Sequence, residues 1–308
     1  MSHDRPVEPK ARLNVFLVGK SDRAEFAAAR DELFRLARVT LAWDIAEAIG
    51  LLRGNGRHPD VIVLAQAIPG EFSPEGVETL RRAAPLARLV GLLGTWCEGE
   101  MRTGDPWPGV IRLYWYQWHP RAAIHLRALA AGKSTSWALP PTATHEDRLL
   151  EDSPTIARPV SAAEDDSRRP PLGTVAVFSP RVEMTEWICE AFGAPEWNVL
   201  PVDFRRVQEF IAVKRDACLA LAGHVDLLIY DATEFDAAEA ARFTRVLDLV
   251  GAKESLLLCD FPRLADRRRA RDAGAACLLA KPVDLLDLTY VARQLAPGAR
   301  SPRQRAVV

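Results

Sequence analysis

Two stretches decide the fold: VDLLIYDAT (225–233) and DAGAACLLAKPVDLLDL (272–288). In the first, Leu227–Tyr230 run apolar without alternation and stop at Asp231. In the second, Cys277–Ala280 do the same and stop at Lys281–Pro282. A short, continuously apolar run suits a strand covered on both faces, as parallel strands are. The segments that follow, Phe235–Leu249 and Val283–Leu295, space their apolar residues as amphipathic helices do.

Working outward, TVAVFS (174–179), WNVLPV (197–202) and SLLLCD (255–260) supply the remaining strands of the second half, with ACLLAK (276–281) as its last. The first half offers LNVFLV (13–18), VTLAW (39–43), VIVLA (61–65), RLVGLLG (88–94) and VIRLYWY (110–116). Between the first two, Ser21–Arg38 sets Phe26, Ala29, Leu33 and Leu36 near one helical face, and Asp44 is placed to cap the segment after it. Strand, helix, strand repeated in this way predicts α/β architecture: doubly wound parallel sheets of five strands with right-handed crossovers. The order recurs at about 165 residues, which suggests duplication of a whole domain.

Residues 132–172 carry Pro140, Pro141, Pro154, Pro159, Pro170 and Pro171 among acidic and small residues, a composition that resists a packed core. The expected division is therefore a domain over 1–131, a linker over 132–172, a second domain over 173–297 and a loose tail over 298–308. Trp137 and Leu149–Leu150 are the linker residues able to dock on a domain.

With 48% hydrophobic and 26% charged residues, the chain reads as globular, and a formal net charge of −1 points to no charged partner. Its five cysteines form no CxxC pair, so reduced thiols are expected and a structural zinc is not. MSHDRPVEPKAR at the start has no apolar core, and no apolar run reaches the roughly 20 residues of a membrane span. A soluble cytoplasmic protein is the expectation.

VDLLIYDAT and the run ending in Lys281–Pro282 resemble the receiver domain of two-component response regulators. Asp231 stands where that family carries its phospho-accepting aspartate, at the end of the third strand. HPDVIVLAQAIPG (58–70) and WHPRAAIHL (118–126) are a fainter copy, with Ala65 at the acceptor position and His119–Pro120 at the Lys-Pro. From Ala65 to Pro120 is about 55 residues, and from Asp231 to Pro282 about 51. The resemblance implies a flavodoxin-like receiver fold in each half and a cis peptide before both Pro120 and Pro282.

It also implies a chemistry. An aspartate attacks phosphorus, Mg²⁺ held by an acidic pair after the first strand offsets oxygen charge, a lysine neutralises the phosphoryl group, and a hydroxyl after the fourth strand senses it. After TVAVF, however, the chain reads Ser179, Pro180, Arg181, and Arg181 brings positive charge where the metal would sit. Cys259 takes the hydroxyl position. In the first half the acidic pair is replaced by Gly19, Lys20 and Ser21, with Lys20 able to put its ammonium in the metal site. Thr95 or Gly94 aligns with the hydroxyl, and His119 with the lysine.

Intact skeletons with incomplete chemistry, and no output domain, point to a non-enzymatic signalling or scaffold protein. No cofactor and no metal are expected. Two alternatives stay open: a response regulator phosphorylated at Asp231, with Asp260 as a candidate acidic partner, and a small-ligand binder or enzyme using the crevice at the strand ends. Asp231 also has a plainer reading, as an ion-pair partner of Lys281. Cys259 and Cys277 should lie on neighbouring strands, as buried thiols rather than a redox pair.

Tyr114, Trp115, Tyr116 and Trp118 crowd the fifth strand of the first half, an edge in a 2-1-3-4-5 sheet. In receivers the surface around that strand carries dimerisation and output, so these rings are candidates for binding protein partners, a second copy of the chain included. Core packing together with aromatic packing against the linker is the other reading. Arg267, Arg268, Arg269 and Arg271 form a basic run, joined in composition by Arg300, Arg303 and Arg305, but no nucleic-acid reader accompanies them, and a solvated helix face is the expected state. GKS at 19–21 and at 132–134 lack the leading glycine of a phosphate-binding loop, having Asn14 and Arg127 there.

Overall fold

A computed structural model of the protein describes residues 12–55, 58–100, 104, 107–152, 171–193, 196–202 and 225–297. The chain divides into two compact units, Met1–Asp152 and Ser153–Val308.

The first unit contains β1 (Asn14–Val18), α1 (Ala27–Leu36), β2 (Arg38–Ala42), α2 (Ile45–Asn55), β3 (Val61–Gln66), α3 (Pro74–Ala83), β4 (Arg88–Leu93), β5 (Ile111–Tyr114), α4 (Trp118–Ala130) and α5 (His145–Asp152). Its five strands are all parallel, in the order β2-β1-β3-β4-β5. The second unit contains β6 (Thr174–Phe178), α6 (Val182–Ala191), β7 (Asn198–Val202), β8 (Leu227–Ala232), α7 (Ala237–Val250), β9 (Glu254–Asp260), α8 (Leu264–Asp272), β10 (Cys277–Lys281) and α9 (Leu285–Leu295). Read from the other edge, its order β7-β6-β8-β9-β10 is the same, again all parallel. Both units are doubly wound, receiver-like α/β sheets.

The central strands β3 and β8 are buried at every residue, as their apolar runs Val61–Ala65 and Leu227–Tyr230 require, with Gln66 and Asp231 buried as well. Alternate residues feed opposite cores. In the second unit Val177, Ile229, Leu258 and Leu279 pack on one face, while Phe178, Tyr230, Cys259 and Leu278 pack on the other. A carboxylate ties strand to strand at the amino end of each sheet. Asp60 accepts the Asn14 backbone N–H at 2.8 Å, and Asp226 accepts that of Thr174 at 2.9 Å. Helix starts carry side-chain caps: Asp44 accepts from Glu47 N–H, and Ser73 from Gly76 N–H. Asp236 and Asp284 do the same in the second unit.

The boundary expected at residue 131 lies instead at Asp152, because the first part of the expected linker packs on the first unit. Trp137, in a 3₁₀ turn over Ser136–Ala138, is buried and stacks on His125 with ring centroids 4.8 Å apart. Ser136 Oγ donates to Asp152 at 2.6 Å, and Arg148 donates to the Ser136 carbonyl. The proline content of 132–172 pointed to a linker, but one buried indole removes enough apolar surface from water to outweigh that local tendency. Leu149 and Leu150 remain exposed. The rest of the expected linker before Pro171, and the tail over 298–308 with its arginines, lie outside the described residues.

Among the described residues no helix is long and apolar enough to cross a membrane. Cys97, Cys189, Cys259 and Cys277 are free thiols, and Cys218 lies outside the described residues.

Candidate functional site

Strand alternation sorts the residues at the carboxyl end of the second sheet. Asp231 follows Ile229 on its strand, Asp260 follows Leu258, and Lys281 follows Leu279, each by two residues, so all three belong to one face. They meet there. Lys281 Nζ lies 2.7 Å from Asp231 Oδ1 and 3.0 Å from Asp260 Oδ1. Ser179 Oγ donates to Asp231 Oδ2 at 2.6 Å and itself accepts the Arg181 backbone N–H at 3.0 Å. The Arg181 guanidinium caps the carboxylate, with Nη2 2.9 Å from Oδ2 and 3.0 Å from Oδ1.

The Asp231 carboxylate has no solvent exposure, whereas the Arg181 side chain is 44% exposed and covers it from outside. Burial by itself would raise the Asp231 pKa. Hydrogen bonds from Lys281, Ser179 and Arg181 together outweigh it, and the carboxyl is held below its ordinary value. Two anions and two cations make the cluster formally neutral, which is how a buried carboxylate is kept ionised.

This donor set does not fit the Mg²⁺ that receiver chemistry implies. Both Asp231 oxygens are taken by protein donors, and one of these is the Arg181 guanidinium, a cation bonded to both. Among the described residues no group of three His, Cys, Asp or Glu side chains could hold a metal ion.

Cys259, expected at the phosphate-sensing position, does not join the cluster. Its side chain points to the opposite core, with Phe178 and Tyr230, because it sits one residue off the face that carries Asp231. Burial pushes its thiol pKa up to about 12, so it is inert. Asp260, the next residue, takes the place facing Lys281. The peptide bond before Pro282 is cis.

In the first unit, register identifies the equivalent positions. Val18 pairs with Leu64 as Phe178 pairs with Tyr230, so Ala65 matches Asp231. Ala65 is level with Leu92 and Leu113 as Asp231 is with Leu258 and Leu279. The lysine position is two residues beyond Leu113, at Trp115. Each lies 50 residues after its acceptor position. His119 is four residues further on, and its Nδ1 contacts Glu32 of α1 at 3.0 Å instead of the crevice. The expected His119 match therefore fails. The cis bond before Pro120 is present, but it begins α4 well past the strand, whereas Pro282 directly follows β10.

The first site puts uncharged groups at the acceptor and lysine positions and keeps one carboxylate, Glu25, beside Thr95. Trp115 Nε1 donates to Thr95 Oγ1 at 2.9 Å, and the Thr95 N–H donates to Glu25 at 3.1 Å. Gly19 has φ +104°, and a Cβ there would stand 2.7 Å from both the Ala65 carbonyl oxygen and the Phe72 ring. Only glycine lets this loop close down on the acceptor position. Lys20 is exposed.

The strand-five aromatics follow the core-packing reading rather than the partner-surface one. Trp115 is 2% exposed, and Tyr116 and Trp118 are also buried. Tyr114 is half-buried, stacked on Tyr116, with its hydroxyl near the Cys97 and Glu98 carbonyl oxygens. The chain leaves β5 after Tyr114 and turns inward, so rings expected on an open edge fill the unit's own interior. The exposed indoles are elsewhere: Trp43 at 71% and Trp96 at 76%. In the second unit, the basic run on α8 is partly paired, with Arg269 bonded to Asp266 and to the Phe235 carbonyl.

No protein-family model and no curated protein matches the chain. Among solved structures it is similar to a pilus assembly-related protein of Burkholderia pseudomallei, at 20% identity over 42% of this chain and 93% of that one, with a TM-score of 0.35. It is similar also to the pilus assembly protein CpaE of Caulobacter crescentus, at 13% identity over 41% and 95%, with a TM-score of 0.31. The C-terminus of Escherichia coli RcsC, containing a linker region and a phosphoreceiver domain, aligns at 14% identity over 96% of both chains, with a TM-score of 0.30.

Proposed function

We propose that this chain is a non-enzymatic signalling or scaffold protein of the cytoplasm, made of two duplicated receiver-like units that no longer accept phosphate and that act through protein contacts. One observation carries the reading: the Asp231 carboxylate is already occupied by Lys281, Ser179 and Arg181. Attack on phosphorus needs a free carboxylate oxygen and a counter-charge on the transferring oxygens. Here the guanidinium satisfies the carboxylate itself and leaves nothing to hold Mg²⁺.

The test is to incubate the full chain with Mg²⁺ and acetyl phosphate and weigh it by intact-protein mass spectrometry. No added phosphoryl mass is expected. Stoichiometric phosphorylation that Asp231→Ala abolishes would overturn the reading and leave a response regulator in its place. That second reading draws its support from Lys281 and Asp260, which stand beside Asp231 at the carboxyl end of the sheet.

A further inference from the structure

In the first unit three of the large exposed apolar side chains fall at one end of the sheet, while Phe34, Leu86, Leu149 and Leu150 are exposed elsewhere. Trp43 follows β2, Ile68 follows β3 and Trp96 follows β4, so all three stand at the carboxyl end of one sheet. In the order β2-β1-β3-β4 the row spans four adjacent strands, roughly 15 Å at the usual strand spacing. Leu41, two residues before Trp43 on the edge strand, is exposed on the same side. Two indoles more than two-thirds exposed, with Ile68 between their strands, put apolar surface at the carboxyl end of the sheet, where open α/β sheets bind.

The surroundings state what kind of partner fits. The four connections at this end of the sheet, residues 19–26, 43–44, 67–73 and 94–98, carry five carboxylates against the two cations Lys20 and Arg23. Some of these carboxylates also hold backbone: Asp44 caps α2, and Glu71 accepts the Ala67 N–H. Those two are therefore held at this end of the sheet. An acidic rim repels nucleic acid and anionic lipid, and indoles on an open surface favour protein contact.

We infer that the carboxyl edge of the first sheet is a docking surface for a protein segment that carries lysine or arginine beside aliphatic side chains, with Trp43 and Trp96 as anchors. This deepens the protein-contact reading and rests on it. The surface occupies the end where a receiver would be phosphorylated, so in this unit binding has taken the place that the chemistry would use.

The test uses the full chain and an amphipathic helical peptide of leucine and lysine, with a twin in which glutamate replaces lysine. Binding is followed by the blue shift of tryptophan emission and by calorimetry. The lysine peptide should bind, more weakly as salt rises, and the glutamate twin should not. Trp43→Ala with Trp96→Ala should weaken binding about tenfold or more while the melting temperature holds, because both rings are largely exposed. Asp22→Lys should weaken it without touching an indole.

Equal binding of the twins, or binding indifferent to the tryptophan pair, would overturn the inference. It would equally fail if the tryptophan variant abolished self-association in sedimentation, since the occupant would be a second copy, or abolished binding to lipid vesicles. Phosphorylation at Asp231 is measured separately. A chain that accepts phosphate yet binds the peptide through its indoles breaks the closed-site reading alone, and one that refuses both breaks this inference alone.

Discussion

The two units share one topology and differ most at the carboxyl ends of their central strands. In the second, Asp260, Lys281 and Arg181 gather three charges around the buried Asp231 carboxylate. In the first, the matching positions hold Ala65, Gly94, Trp115 and Ser21, and an indole–threonine bond replaces the ion pairs. The skeleton of this fold does not depend on the chemistry at its crevice. The same strands close over an uncharged acceptor position or an ionic one, provided that a buried charge there finds its counter-charge.

The sharpest way to break the comparison is to give the first unit the second one's charge. Ala65 is buried beneath Gly19, and the uncharged Trp115 stands where Lys281 would answer a carboxylate, so Ala65→Asp should cost about 4 kcal/mol in denaturant melts of the first unit. A neutral effect would mean that the first crevice still holds a hidden counter-charge. Next in size, Lys281→Met should destabilise the second unit by about 3 kcal/mol, since it leaves Asp231 and Asp260 without their shared cation. Adding Asp231→Asn should recover much of that loss, and a double-mutant cycle measures the coupling.

Acid separates the units in a third way. His125 is buried against Trp137, and burial, followed by the charges of Arg121 and Arg148, lowers its pKa to about 3. Its folded value is depressed, so as pH falls below about 6.5 the unfolded chain takes up a proton that the folded chain refuses. The first unit should therefore lose about 2 kcal/mol by pH 5 through this group. Asp231 works in the other window. A depressed carboxyl contributes stability that is complete above its ordinary value and is lost only as pH falls through the lower folded one. Trp137 fluorescence and its docked segment should thus respond to mild acid while the Asp231 cluster holds until below about pH 4. His125→Phe should remove the mild-acid step. Smallest of all, Arg181→Ala should cost about 1 kcal/mol, because the side chain is partly in water. Its interest lies in whether it uncovers Asp231 to a phosphodonor.

The candidate site was partly legible in advance. Asp231 and Lys281 each end an apolar run, and a residue that closes a buried strand has few places to go but the crevice. Arg181 was legible as charge at the vacated metal position. The first unit misled because Pro120 is a conspicuous marker and Trp115 is not. Counting 50 residues from the acceptor position, as between Asp231 and Lys281, reaches Trp115, whereas matching proline to proline reaches His119. Cys259 misled for a related reason: one residue of offset turns a strand side chain to the other face. Ser179 carried no signal that set it apart from any serine after a strand.

The sequence by itself determined the strand runs, the parallel order and the presence of two units, because continuous apolar stretches between amphipathic helices leave few other ways to bury both faces of a sheet. Only the tertiary structure decided which aromatics meet water. Trp115, Trp118 and Trp137 are buried while Trp43 and Trp96 are exposed, though composition and local spacing treat them alike. What separates them is where the chain goes after each strand, inward past β5 and outward past β2 and β4, and that is set by the packing of the whole unit.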